Sequence, residues 1–227
     1  SEDASYKEKP NWTSETIAYR TSAILRGSVL RPAAHSQLMP SKGIGFELGV
    51  TGADRNWAEY AEVYGYLPGL HPWHGLKVSA ALRHYTGNRY SFWFTDPCPP
   101  APRGLVKTVS LLDAAPLAGK ISLDYAMPIL PMDFAIGNIF YFRNLEVVPF
   151  ADLTVLRPAE GLEMGGNLLW SAGADIAVNI QRLILVSSNF SIGARVAYSG
   201  GSAFPYLKEQ IPNLSPLYVG AVFNTKL

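Results

Sequence analysis

From about residue 15 to the last residue the chain returns repeatedly to a period of two. In 172–181 one face carries Ala172, Ala174, Ile176, Val178 and Ile180, and the other Gly173, Asp175, Ala177, Asn179 and Gln181. In 190–199, Phe190, Ile192, Ala194, Val196 and Tyr198 alternate with Ser191, Gly193, Arg195, Ala197 and Ser199. The same holds for Leu76, Val78, Ala80 and Leu82, for Ile44, Phe46, Leu48 and Val50, and for Ile121, Leu123 and Tyr125. Successive side chains of a strand point to opposite faces, so this period predicts β-strands. Nine segments follow: 15–30, 43–52, 57–68, 75–86, 117–128, 138–156, 167–181, 188–199 and 216–227. No segment carries a helical stripe, and no period of about 20–50 residues repeats as in a propeller or solenoid. The expected class is all-β and antiparallel.

Alternation alone leaves open which face is wet, because a soluble sandwich alternates too. Three features favour a transmembrane barrel. The apolar faces run for about ten residues, the length at which a tilted strand crosses a bilayer. The opposite faces are small, polar or charged, as in a watered lumen. Aromatic residues crowd the segment ends, among them Trp57, Tyr60, Tyr64, Tyr66, Trp73, Tyr85, Trp93, Trp170 and Tyr198, as in girdles at headgroup depth. Composition agrees. Only 16% of residues are charged, against about 25% in ordinary soluble domains. With 20 Gly, 17 Pro and many aromatics, the chain is neither a disordered polyelectrolyte nor a helical bundle. No apolar run approaches the ~18 residues of a membrane helix. A net charge of +1 gives no case for nucleic acid. The one cysteine, Cys98, excludes an internal disulfide framework.

The links fall into two alternating kinds. Short or apolar links are 68–74, 128–133 and 182–187, and 31–42 falls on the same side. Polar links are 51–56, 157–166, 200–216 and above all 86–120. Outer-membrane barrels place short turns in the periplasm and long loops outside. On that scheme residues 1–14 are extracellular and Leu227 lies at the periplasmic rim. Bacterial single-chain barrels have even strand counts. Nine strands, with a polar start at Ser1, are therefore expected to be part of a larger barrel of about sixteen strands, unable to close alone.

Particular motifs sharpen this. Pro102-Arg103-Gly104 lies in the longest link; Ile121-Ser-Leu-Asp-Tyr-Ala-Met-Pro128 follows, then Phe142-Arg-Asn-Leu-Glu-Val-Val-Pro-Phe-Ala-Asp152. Trp170-Ser-Ala-Gly-Ala-Asp175, Ser191-Ile-Gly-Ala-Arg-Val-Ala-Tyr198 and a closing strand over 217–227 complete the order. Over residues 43–227 this resembles the C-terminal half of BamA-type surface-antigen barrels. Tyr66-Leu-Pro-Gly-Leu70 resembles the variant fused to a periplasmic TolB-like propeller. The resemblance implies that the 86–120 loop tucks into the lumen, where Arg103, beside Gly104, meets Asp124 and Asp152. It also implies a weak seam at the last strand, and a role in inserting or translocating outer-membrane proteins or in anchoring an envelope complex. Two positions depart from the family pattern: Leu105 stands where the family has an aromatic after Arg-Gly, and Leu227 where it ends on one.

Other motifs read structurally. The glycines of 43–49 sit on a strand and lack the spacing and helix of a phosphate loop. His71 and His74 lie in a Pro-Trp turn without a third ligand, and His35 and His84 are isolated. Cys98 lies in a Pro-rich stretch with no histidine nearby. No nucleophile-elbow pattern or rim Ser/His pair supports a lipid-modifying enzyme. The expected protein is no enzyme and needs no cofactor or metal. Its expected partners are outer-membrane lipids and lipopolysaccharide, the strands or chain that complete the barrel, and envelope proteins. The alternatives are a purely structural barrel subunit or a soluble β-sandwich binding module.

Overall fold

The computed structural model describes residues 21–32, 38–53, 56–86, 101–105, 115–137, 140–157, 166–183, 186–211 and 213–226. The expectations for residues 1–14, His35, Cys98 and Leu227 lie outside them. Nine strands form one antiparallel sheet in sequence order: β1 (Thr21–Arg31), β2 (Lys42–Ala53), β3 (Asn56–Pro68), β4 (Gly75–Thr86), β5 (Leu117–Ile136), β6 (Phe140–Arg157), β7 (Leu168–Leu183), β8 (Val186–Gly200) and β9 (Leu217–Lys226). The sheet is open. Among the described residues β1 pairs only with β2, and β9 only with β8. Both edge strands run in the same direction, because an odd number of antiparallel strands separates the two ends of the meander.

One row of paired residues crosses all nine strands: Leu30, Gly43, Tyr66, Lys77, Asp124, Phe150, Gly173, Ala197 and Tyr218. In β1 this row lies next to the strand's last residue, and in β9 next to its first. The strands therefore slide past one another by about one residue per step. With a rise of about 3.3 Å along a strand and about 4.8 Å between strands, that stagger would correspond to a tilt of roughly 35° in a sheet that closes.

The two faces have opposite chemistry, and burial is inverted relative to a soluble domain. On the inner face Arg83, Asp152 and Glu146 are only 2%, 3% and 5% exposed. On the outer face Val29, Ile44 and Val219 are 79%, 60% and 67% exposed. Among the described residues Arg31 and Lys42 stand on the outer face at the short-turn end, and Glu59, His84 and Arg157 at the long-loop end. Between them runs an apolar band through Phe46, Val63, Val78, Leu82, Ile121, Leu123, Ile176 and Val196. Trp57, Trp170 and Tyr198 mark its long-loop end, with the Trp170 and Tyr198 rings 6.0 Å apart.

Glycines on the inner face serve close packing. Tyr64 and Tyr60 of β3 lie across Gly45 and Gly49 of β2, which are their direct cross-strand partners. A Cβ at either glycine would overlap the ring. Tyr60 also donates a 2.6 Å hydrogen bond to Glu47, which pairs with Arg26.

Three expectations need correction. Residues 128–133 are not a link. They belong to β5, which runs on to Ile136 and turns only at Gly137. The prolines that suggested a turn sit past Ala126, the last β5 residue paired to β4. There one side of the strand has no ladder partner to lose, and register shifts at Pro128/Leu130 and Pro131/Phe134 absorb them. Of the link expected over 182–187, residues 182–183 belong to β7 and 186–187 to β8. The link over 200–216 holds a short helix, α1 (Phe204–Gln210), started by a proline in its first turn. Seven residues are too few to display a stripe. Among the described residues no helix is long and apolar enough to cross a membrane.

Candidate functional site

The β4–β5 link enters the inner face at residues 101–105. Its path is set by a tight turn in which the Leu105 N–H donates to the Pro102 carbonyl at 3.1 Å. Gly104 has φ of 99°, a conformation that favours glycine. Leu105, fully buried, joins Ala101, Ala118, Leu156, Leu169 and, from α1 and its flanks, Ala203, Leu207 and Leu214 in a small apolar core at the long-loop end. The turn is thus pinned on one side by apolar packing.

On the other side it is pinned by charge. The Arg103 guanidinium donates to Asp152 through Nε at 2.9 Å and Nη2 at 2.8 Å, a two-pronged geometry. The Arg103 backbone N–H adds a third bond to Asp152 at 2.8 Å. Nη1 reaches Asp124 on the neighbouring strand. Lys120 donates to the Ala101 carbonyl at 3.0 Å and stands 3.8 Å from Asp152. Burial opposes the charge on Arg103. The hydrogen bonds to Asp152 and the fields of both aspartates outweigh it and hold the pKa above the ordinary arginine value. The structure therefore brings Arg103, Asp124 and Asp152 together and places Gly104 beside them, on the inner face.

Why the turn fits here follows from a second row of cross-strand partners: Ser79, Ser122, Asp152, Ser171 and Ser199. Four short side chains flank one carboxylate. They leave a shallow trough across β4 to β8 in which the turn can lie. A Cβ on Gly104 would come within 2.8 Å of the Ala197 Cβ and 3.1 Å of the Ser199 Oγ. The Gly104→Ala variant is expected to lift the turn off β8 and destabilise the fold by about 1–3 kcal/mol, from strained φ and overpacking together. Urea unfolding of the two proteins under identical conditions checks it; unchanged stability would mean that the turn does not bear on β8.

Phe150 shares the inner face of β6 with Val148 and Asp152. It lies beneath the guanidinium of Arg103, 4.0 Å from ring centroid to Cζ, and 5.2 Å from that of Arg195. Gly173, its partner on β7, leaves the room for the ring. Arg195 is held by Asp175 directly across β7 and β8, at 2.6 and 2.7 Å. The Asn179 amide donates to both Asn144, at 2.8 Å, and Glu146, at 2.7 Å. Charged and amide groups thus line β5 to β8 continuously. The serine trough and the Arg195–Asp175 pair are absent from the sequence reading. They become visible only when register aligns residues from different strands.

The His71/His74 turn has its own tie. The Leu70 N–H donates to the Tyr125 hydroxyl at 2.9 Å, and that hydroxyl is 2.9 Å from the His74 Nδ1. Among the described residues no three His, Cys, Asp or Glu side chains gather as a metal set. Chemically, the Arg103 cluster can hold a loop against one face of the sheet.

Comparison of the chain with protein-family models, curated proteins and solved structures finds no match.

Proposed function

We propose that this chain is part of a bacterial outer-membrane β-barrel of BamA-like type, with the β4–β5 link tucked into its lumen. It acts in outer-membrane protein assembly or translocation, or as the membrane anchor of an envelope complex. The observation that carries this reading is the inverted burial. A face of exposed Ile, Leu, Val and Phe bounded by charges at both ends suits lipid, and a face of buried Arg, Asp, Glu and Asn suits a lumen. The roughly 35° tilt that closure would give lies at the lower edge of the range of membrane barrels. The open edges of β1 and β9 need further strands in a bilayer, where unpaired backbone is costly.

A second reading, a barrel subunit without insertase activity, draws on one residue. Leu105 is buried in the apolar core and helps fix the link in place.

Topology provides the test. In a Cys98→Ser background, Leu70→Cys lies in the short β3–β4 turn at a position 97% exposed. Ser215→Cys lies at an exposed position of the β8–β9 link, at the opposite end. In intact cells a membrane-impermeant maleimide is expected to label Ser215→Cys and to reach Leu70→Cys only after lysis. Recovery of the protein in the soluble fraction, or labelling of both sites alike, would overturn the reading.

A further inference from the structure

At the short-turn end of β1 and β2 the register sets two cations directly opposite one another. Arg31 pairs with Lys42, and both lie exposed on the outer face. Like charges at directly opposed positions repel, so such a pair needs an anion. Among the described residues none lies beside them. The sequence over 29–44 and 66–76 contains no Asp or Glu. The carboxylates closest to it along these strands and on β5, Glu47, Glu62 and Asp124, share the inner face with Tyr60, Tyr64 and Lys77. Immediately along the strands from the cations lie the exposed apolar residues Val29, Ile44 and Leu67, and the adjoining turn exposes Leu70 and Trp73. A basic pair bordering an apolar band is the arrangement that holds an acyl chain on one side and its phosphate on the other.

We propose that Arg31 and Lys42 form a binding site for the headgroup of an anionic phospholipid at the short-turn rim. The inference rests on the outer-membrane reading and adds to it a lipid preference at one rim. The opposite rim is different in kind, since Glu59 and His84 face each other there at 3.6 Å and the acidic group would repel a phosphate.

The experiment uses the chain in its assembled barrel, purified with the strands that complete it and reconstituted into phosphatidylcholine vesicles that contain a minor share of either brominated phosphatidylglycerol or brominated phosphatidylcholine. Bromine quenches tryptophan within contact range, and Trp73 lies at this rim. Each cation near an anionic surface contributes about 1 kcal/mol, so the pair should favour the anionic lipid roughly thirty-fold, and less at high salt. Wild-type protein should therefore be quenched at a much lower mole fraction of brominated phosphatidylglycerol than of phosphatidylcholine. The Arg31→Gln/Lys42→Gln variant should lose most of that difference, whereas Lys208→Gln, on α1 at the other end, should keep it. Equal quenching of the wild type by both lipids, or an undiminished preference in the double variant, would overturn this site and leave the membrane reading standing. Absence of quenching by either lipid would overturn both.

Discussion

Arg103→Ala is expected to destabilise the fold by about 3–5 kcal/mol, because it removes the cation while its anion stays buried. Asp152 has a side chain with no exposure and takes three hydrogen bonds from Arg103. The variant keeps only the backbone bond, leaving Asp152 with Lys120 at 3.8 Å as its remaining cation. Asp124 loses its guanidinium partner as well. Arg103→Lys should recover little, since an ammonium cannot reproduce the two-pronged contact or lie flat on Phe150. Adding Asp152→Asn to Arg103→Ala should restore part of the loss, because the stranded charge is then gone. A double-mutant cycle by denaturant unfolding measures this. Additive costs for the two single changes would mean that the pair is not coupled and that the link is held by its apolar anchor at Leu105 alone. Limited proteolysis of the 86–120 link should accelerate in Arg103→Ala for the same reason.

Ile121→Arg on the outer face is expected to lower stability in a bilayer by about 2–4 kcal/mol, and Trp57→Arg by only about 0–1. Both residues are large and exposed, so a purely aqueous surface would tolerate either change. They differ in depth. Ile121 lies mid-band on β5, flanked by Val78 and Leu123, whereas Trp57 lies one residue into β3 at the charged end of the band. Urea titrations of the assembled barrel in vesicles, with the strands that complete it, would give both values. Equal costs at the two positions would count against a bilayer around this face. The contrast separates a lipid band from a protein partner, whose penalty need not follow distance from the strand ends.

The strands were legible in the sequence because a strand needs only local information: side chains alternate, and a chain that alternates over ten residues has little other way to separate its faces. Which residues share a face follows from the same rule. It placed Asp124 with Ser122 and Ala126, and Arg195 with Ser191 and Ser199, as the structure does. The Arg-Gly link was marked by its length and motif. Local signals misled where their usual meaning was overridden by position. Pro128 and Pro131 read as a turn because proline cannot donate to a ladder, yet β5 continues through them where β4 has already ended and no bond is lost. Helix α1 was too short to show a period and is held by packing against Leu156 and Leu169 from strands β6 and β7.

The site itself needed the tertiary structure. Ser79, Ser122, Ser171 and Ser199 are scattered along the chain, and only the pairing register turns them into one trough around Asp152. Asp152 shares its face with the apolar Val148 and Phe150, and only the structure shows two guanidinium groups beside the Phe150 ring. Arg31 and Lys42 looked like the ends of a link until register set them opposite each other. The alternation of the sequence by itself determined an all-β chain with one apolar and one polar face. The registers decided which distant charges meet, because a shift of one residue in any pair would have turned Asp152, Asp124 or Arg195 to the other side of the sheet.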